Sequence, residues 1–167
     1  CGTGYTTAAL ARLVGPTGRV VGLDVVEEHV RRAERNIRGE DARLWGAGSI
    51  RLRVADGWWG SERDGPFDCI HVACSCPRVP EPLVAQLRDG GRLVLPLGPP
   101  TPEWQSLTVV TKAGAHGSMG SLRARVIRPV RYVTMVHPPP RAGGTRSDAS
   151  PAARAPVVGI PEWEAVD

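Results

Sequence analysis

Short apolar segments alternate with helical patterns along most of this chain, and no other feature constrains its fold as strongly. Such an alternation is typical of parallel strands joined by crossover helices. The sequence therefore predicts an α/β fold built on a mostly parallel sheet. The predicted helices cover residues 5–14, 27–38 and 80–87. The predicted strands cover residues 19–24, 50–55, 67–73, 92–97, 104–111, 122–127 and 131–136, with 104–111 and 122–127 as a late antiparallel pair.

The residue types along these segments also predict where some helices and strands end and how deeply some strands are buried. Gly39 is expected to stop the second helix, and residues 89–91 are expected to form a turn. Residues 50–55 alternate apolar and polar, which suits a strand near a sheet edge. We expect the strand at residues 67–73 to be more buried.

The charge pattern argues against a nucleic-acid surface. The chain has a net charge of +4, and Lys112 is its single lysine. Its arginines are scattered rather than clustered, which favours an ordinary solvated surface. No run of about 18 apolar residues occurs, so we expect no membrane span and no membrane partner.

The cysteines indicate a reducing compartment. Cys1, Cys69, Cys74 and Cys76 form no disulfide pattern, and Cys69 lies in an apolar run where a buried thiol is expected. We therefore expect a cytoplasmic protein. Cys74, Cys76 and His71 are too few for a zinc site, which needs four well-placed ligands, so we expect no metal.

The composition changes after residue 137. Residues 138–167 are rich in Pro, Ala and Gly and contain few large apolar side chains, which predicts a disordered tail behind a domain at residues 1–137. The last eight residues, IPEWEAVD, suit either a free end or a docking peptide, and the free end is favoured.

A glycine loop stands at the start of the chain. Gly2, Thr3 and Gly4 open the first predicted helix, where backbone N–H groups lack partners and a ligand needs close approach. Asp24 ends the next strand, and a carboxylate there can accept from both ribose hydroxyls of an adenosine. The dinucleotide fingerprint needs a small residue at the position of Thr7, which disfavours a nicotinamide cofactor.

A second acidic strand end follows. Asp56 and Gly57 come directly after the strand at residues 50–55. An aspartate there can accept from an adenine amine, and glycine leaves room for the ring, although an ordinary turn also uses Asp-Gly. Ligands of open α/β sheets bind at these carboxyl ends of the strands.

Three segments resemble protein-L-isoaspartate O-methyltransferases. They are CGTGYTTAALARLVGPTGRVVGLD, VADGWWG and, most specifically, FDCIHVACSCPRVPEPLVAQLRDGGRLVLPLG. The last matches a family pattern that runs D-x-I-x-V-x-A-A-x-P, then V-P-x-x-L-x-x-Q-L, then G-G-R-L-V-x-P-V-G. The resemblance covers about residues 1–137. It implies a Rossmann-like class I S-adenosylmethionine-dependent methyltransferase fold, a mostly parallel, doubly wound sheet with its first strand missing.

The resemblance also implies site residues. The cofactor, S-adenosyl-L-methionine, would contact Gly2, Thr3, Gly4, Asp24, Val25, Asp56 and Gly57. Tyr132 and Val133 would line the peptide site, although Thr134 and Met135 stand where the family has Pro and Leu. The family's Ser/Thr-x-Ala-Pro loop, which holds the substrate carboxylate, lies upstream of the glycine loop. We therefore expect no catalytic residue in this chain, and an N-terminally truncated fragment that is poorly stable and inactive alone.

The implied function is repair of damaged proteins. A methyl group would pass from S-adenosylmethionine to the free carboxylate of L-isoaspartyl and D-aspartyl residues, catalysed by a monomer whose partners are isoaspartyl-containing proteins and peptides. Two alternatives stay open. One is a methyltransferase with a different acceptor, and the other is a methyltransferase-like adaptor that binds through its tail.

Overall fold

The computed structural model describes residues 1–99, 104–113 and 122–137. The chain divides into two compact units, Cys1–Gly57 and Trp58–Asp167. The predicted tail at residues 138–167 lies outside the described residues, so its disorder stays a prediction. None of the described helices is long and apolar enough to span a membrane.

The first unit contains a parallel pair of strands with helices packed against it. Val20, Ile50 and Leu52 from the strands pack with Ala11 of the first helix and Ile37 of the second. Apolar side chains at helical spacing therefore meet the sheet, as the sequence predicts. The elements are α1 (Tyr5–Val14), β1 (Val20–Asp24), α2 (Glu27–Glu40), α3 (Ala42–Gly46) and β2 (Ile50–Val54).

The end of α2 differs from the prediction. The helix continues through Gly39 to Glu40, and a further helix that the sequence did not predict, α3, begins directly after Asp41. Asp41 Oδ1 accepts a hydrogen bond from the N–H of Leu44 at 2.9 Å, so it caps the new helix. A glycine inside a helix costs only about 1 kcal/mol, which the packing of α2 can offset.

The second unit contains a mixed sheet. Its strand order is β3-β4-β5-β6, in which β3 and β4 are parallel and the later pairs are antiparallel. The predicted late antiparallel pair is thus confirmed. The elements are a short 3₁₀ helix (Glu62–Asp64), β3 (Phe67–His71), α4 (Glu81–Ala85), β4 (Leu87–Leu97), β5 (Gln105–Lys112) and β6 (Leu122–Val130).

Strand β4 begins earlier than predicted. Its pairing with β3 passes from Phe67 opposite Leu87 to Cys69 opposite Arg92, so the expected turn at residues 89–91 lies inside the strand as a bulge. Gly90 has φ of 76°, a conformation that glycine adopts without strain. The residues between Leu87 and Arg92 can therefore bulge away from β3, and β4 resumes its pairing at Arg92.

Two predictions for the second unit are wrong. Strand β3 is not well buried, and the Cys69 thiol is exposed. Within the described residues β3 pairs only with β4, so it is an edge strand of its sheet. Residues 131–136 form no strand. Among the described residues, the strand-like pairing of this segment is a single bridge between Thr134 and Ser75. The backbone of Tyr132 is instead bonded to the side chain of Gln105.

Candidate functional site

Asp24 lies at the end of β1 and collects donors on both carboxylate oxygens. Oδ2 accepts from the N–H of Gly2 at 2.9 Å and from the amino nitrogen of Cys1 at 3.1 Å. Oδ1 accepts from the N–H of Val26 at 3.0 Å, and His29 Nδ1 lies 3.2 Å from it. The side chain is 14% exposed. The glycine loop is therefore tied directly to the predicted acidic strand end.

These donors keep Asp24 ionised. Burial alone would raise its pKa, but the N–H groups of Val26 and Gly2, which donate to the carboxylate, lower the pKa below its ordinary value. At neutral pH the site therefore presents a full negative charge at the end of a parallel strand, where it can accept hydrogen bonds from a ligand's hydroxyl groups.

The glycine loop packs closely against α2. Gly4 precedes α1 with φ of 88°, and a Cβ atom there would lie 3.0 Å from the Cβ of Ala33. The carbonyl of Thr3 accepts from Asn36 Nδ2 at 2.9 Å, which fixes the loop from the same helix. Two features therefore favour glycine at position 4: its left-handed backbone conformation, and the side chain of Ala33, which leaves no room for a Cβ atom.

The ends of β1 and β2 are also joined. Asp24 stands opposite Val54 in the register, and the N–H of Ala55 donates to the carbonyl of Asp24 at 3.0 Å. Asp56 and Gly57 follow directly, at the same edge as Asp24 and Val25. The structure therefore brings the predicted residues of the first unit to one edge of the parallel pair.

Tyr132 and Val133 belong to the second unit. Their side chains are exposed, to 38% and 75% respectively. Among the described residues no group of three or more metal-ligating side chains occurs.

Sequence reasoning missed two supporting side chains. His29 and Asn36 both lie on α2, and they reach Asp24 and the glycine loop from there. The position of His29 in the first turn of a helix that follows an acidic strand end was the available signal. Asn36 offered none, because its partner Thr3 is 33 residues away in sequence.

The family described as protein-L-isoaspartate(D-aspartate) O-methyltransferase matches residues 1–138. The chain belongs to this family. Protein-L-isoaspartate O-methyltransferase 2 of Arabidopsis thaliana is 38% identical over 144 residues, which cover 86% of this chain and 44% of that protein. The protein-L-isoaspartate O-methyltransferase of Triticum aestivum is 39% identical over 135 residues, which cover 80% of this chain and 56% of that protein. The chain spans about half the length of these curated relatives.

A solved structure confirms the fold. It is a protein-L-isoaspartate O-methyltransferase with a TM-score of 0.69 and 26% identity, matched over 81% of this chain and 40% of the solved one. The predicted Rossmann-like class I methyltransferase fold and the family resemblance are both confirmed. The roles of individual site residues and the division into domain and tail stay predictions.

Replacing Gly4 by alanine is expected to destabilise the first unit by about 2–4 kcal/mol, since backbone strain adds to the contact with Ala33. Gly48→Ala is the matched control. Gly48 has φ of 68° but no atom within 4 Å of an added Cβ, so only the backbone cost of about 1–2 kcal/mol applies. Urea unfolding followed by circular dichroism measures both changes. Equal losses in the two variants would show that the Ala33 contact is unimportant.

Proposed function

We propose that this chain contributes to the transfer of a methyl group from S-adenosyl-L-methionine to the free carboxylate of L-isoaspartyl and D-aspartyl residues in damaged proteins. The observation that carries the proposal is the ionised Asp24 bound to the N–H of Gly2, in a chain that belongs to the isoaspartyl methyltransferase family. A carboxylate fixed to the glycine loop can hold an adenosine ribose beside that loop.

The cofactor would be held by the first unit. Asp24 would accept from the ribose hydroxyls, and Asp56 would accept from the adenine amine, with Gly57 leaving room for the ring. The remaining proposed contacts come from the backbone beside them, at Gly2, Thr3, Gly4 and Val25. These contacts are supported by the position of the residues, which lie together where β1 and β2 end.

Asp24 already uses much of its acceptor capacity. A carboxylate offers about four lone-pair sites, and four nitrogen atoms lie within bonding distance of its oxygens. The donors from Gly2 and Val26 belong to the backbone, whereas His29 is an exposed side chain that can rotate away. A ribose hydroxyl would therefore replace His29 at Oδ1.

Removing His29 should then strengthen cofactor binding. His29→Ala frees one acceptor site on Asp24 without touching the backbone donors, so affinity is expected to rise by about twofold to tenfold, the worth of one net hydrogen bond. Isothermal titration with S-adenosylmethionine measures it. A fall in affinity would mean that His29 helps to hold the cofactor rather than competing with it.

The proposed chemistry needs no strong general base. The acceptor carboxyl group is ionised at pH 7, because its unperturbed pKa is roughly 3.5–4. Catalysis would rest on alignment of the carboxylate, methyl group and sulfur, and on exclusion of water. Cys76 is no rival nucleophile, since burial, with a smaller effect of Cys74, raises its pKa to about 12. The methyl ester would collapse to a succinimide that reopens partly as normal aspartate.

The acceptor side is proposed from the second unit. Tyr132 and Val133 would line the peptide site, and their exposed side chains support that role. The upstream Ser/Thr loop of the family would hold the substrate carboxylate. We also propose that the protein works in the cytoplasm as a monomer, with neither nucleic acid nor membrane as a partner. The four cysteines, all free thiols, support a reducing compartment.

Methylation of an aged protein tests this function. The complete reading frame that contains this sequence is incubated with methyl-labelled S-adenosylmethionine and a protein that has accumulated isoaspartyl sites. We expect label that mild base releases, since the product is a carboxyl methyl ester. Base-stable label would indicate a different acceptor, and cofactor binding without any transfer would favour the adaptor alternative.

A further inference from the structure

Gln105 is a polar side chain inside the core of the second unit. It stands at the start of β5 and is only 1% exposed. Its Oε1 accepts a hydrogen bond from the N–H of Tyr132 at 2.7 Å, and its Nε2 donates to the carbonyl of Tyr132 at 3.1 Å. One buried amide thus makes both bonds that a neighbouring strand would make with Tyr132.

The residues after Tyr132 are held by a second segment. Ser75 donates its N–H to the carbonyl of Val133 at 2.8 Å, and its carbonyl accepts from the N–H of Met135 at 2.9 Å. The Sγ of Cys76 lies 3.6 Å from the Sδ of Met135, which adds a contact beyond the backbone bonds. The backbone of this segment is therefore held at Tyr132, Val133 and Met135.

Fixed backbone and exposed side chains coincide at this segment. Tyr132 and Val133 remain open to solvent although their backbone groups are bound to buried partners. An exposed apolar pair on immobilised backbone is a low-entropy surface for a peptide, because little conformational freedom is left to lose on binding. The buried amide costs desolvation, which the hydrogen bonds to Tyr132 offset.

We propose that Gln105 is a positioning residue for the acceptor peptide, which it serves by fixing the backbone of Tyr132 and thereby presenting Tyr132 and Val133. The proposal rests on the proposed function. The side-chain hydrogen bonds of Gln105 end on the backbone of Tyr132 and Pro99, and none of them reaches a residue proposed to hold the methyl donor. Its influence therefore falls on peptide binding rather than on the chemical step.

Gln105→Leu removes both bonds at nearly constant volume. In the complete reading frame, we expect the KM for an isoaspartyl peptide to rise by at least about tenfold, because the backbone of Tyr132 loses two buried hydrogen bonds. The kcat and the KM for S-adenosylmethionine should stay within about twofold. Gln105→Glu keeps the acceptor but lacks the donor at neutral pH, so its KM should lie between those of Gln105→Leu and the unchanged protein.

Thr108→Val is the matched control. Thr108 lies on the same strand and is fully buried, but its hydroxyl donates to the carbonyl of Ser106 and not to residues 131–137. Its peptide KM should stay within about twofold. Amide hydrogen exchange provides a readout without activity, and Gln105→Leu, unlike Thr108→Val, should speed exchange at Tyr132 and Met135.

The outcomes separate this inference from the proposed function. An unchanged peptide KM in Gln105→Leu, or a matching rise in Thr108→Val, overturns the positioning role. A fall in kcat alone overturns it as well, since the effect would then be on chemistry or folding. If the unchanged protein methylates no isoaspartyl peptide, the proposed function fails and the acceptor role fails with it. Exchange at Tyr132 would then still show whether Gln105 holds this segment.

Discussion

Replacing Asp24 by alanine is expected to lower the affinity for S-adenosylmethionine by about tenfold or more. The hydrogen bond from a ribose hydroxyl to an ionised carboxylate is lost, and a bond to a charged group contributes about 1.5–3 kcal/mol. The N–H groups of Gly2 and Val26 also lose their acceptor, which loosens the glycine loop. Isothermal titration of the purified protein gives the affinity directly.

Asp41→Ala is the control for this substitution. Asp41 belongs to the same unit, accepts from the N–H of Leu44 and pairs with Arg12 at 3.0 Å, so it resembles Asp24 in its bonds but lies at the start of α3. Its removal should leave affinity within about twofold and cost about 1 kcal/mol of stability as a lost helix cap. If Asp24→Ala binds the cofactor as well as Asp41→Ala does, Asp24 is not the ribose acceptor.

Replacing Leu93 by alanine is expected to destabilise the second unit by about 2–5 kcal/mol. Leu93 is 0% exposed and stands in the middle of β4, opposite Ile70 on one side and Val110 on the other. Truncation leaves a cavity that the neighbours on β3 and β5 cannot easily fill, so the loss includes a cavity contribution beyond the transfer of the removed apolar atoms.

Leu13→Ala is the matched comparison for Leu93→Ala. Leu13 is the same residue type but largely exposed on α1, so its removal should change stability by less than about 0.5 kcal/mol. Urea unfolding monitored by far-ultraviolet circular dichroism measures both. A loss below about 1 kcal/mol for Leu93→Ala would contradict the packing of β4 described above.

Local signals in the sequence predicted most elements well. The helix at residues 5–14 has the bounds of α1, because Gly4 and Gly15 flank it with conformations that interrupt a helix. The acidic end of β1 was predicted from position alone, and the structure ties it to the glycine loop. Such features depend on residues close in sequence, which is why pattern reasoning finds them.

Other features depend on neighbours that are distant in sequence. The exposure of β3 follows from which strands pair with it, and its apolar content carries no information about that. Gln105 and Tyr132 are 27 residues apart, and nothing in either local pattern indicates their two bonds. The prediction of a strand at residues 131–136 fails for the same reason. An extended segment has the same residue pattern whether its backbone is bonded to a neighbouring strand or to a buried side chain such as Gln105.

The most direct test of the central claim compares two synthetic peptides that differ only in the linkage of one aspartyl residue. The complete reading frame, labelled S-adenosylmethionine and each peptide are mixed, and methyl ester formation is measured as kcat/KM. We expect transfer to the isoaspartyl peptide and none detectable to its normal aspartyl twin. Equal transfer to both peptides, or none to either despite cofactor binding, would contradict the assignment of isoaspartyl repair.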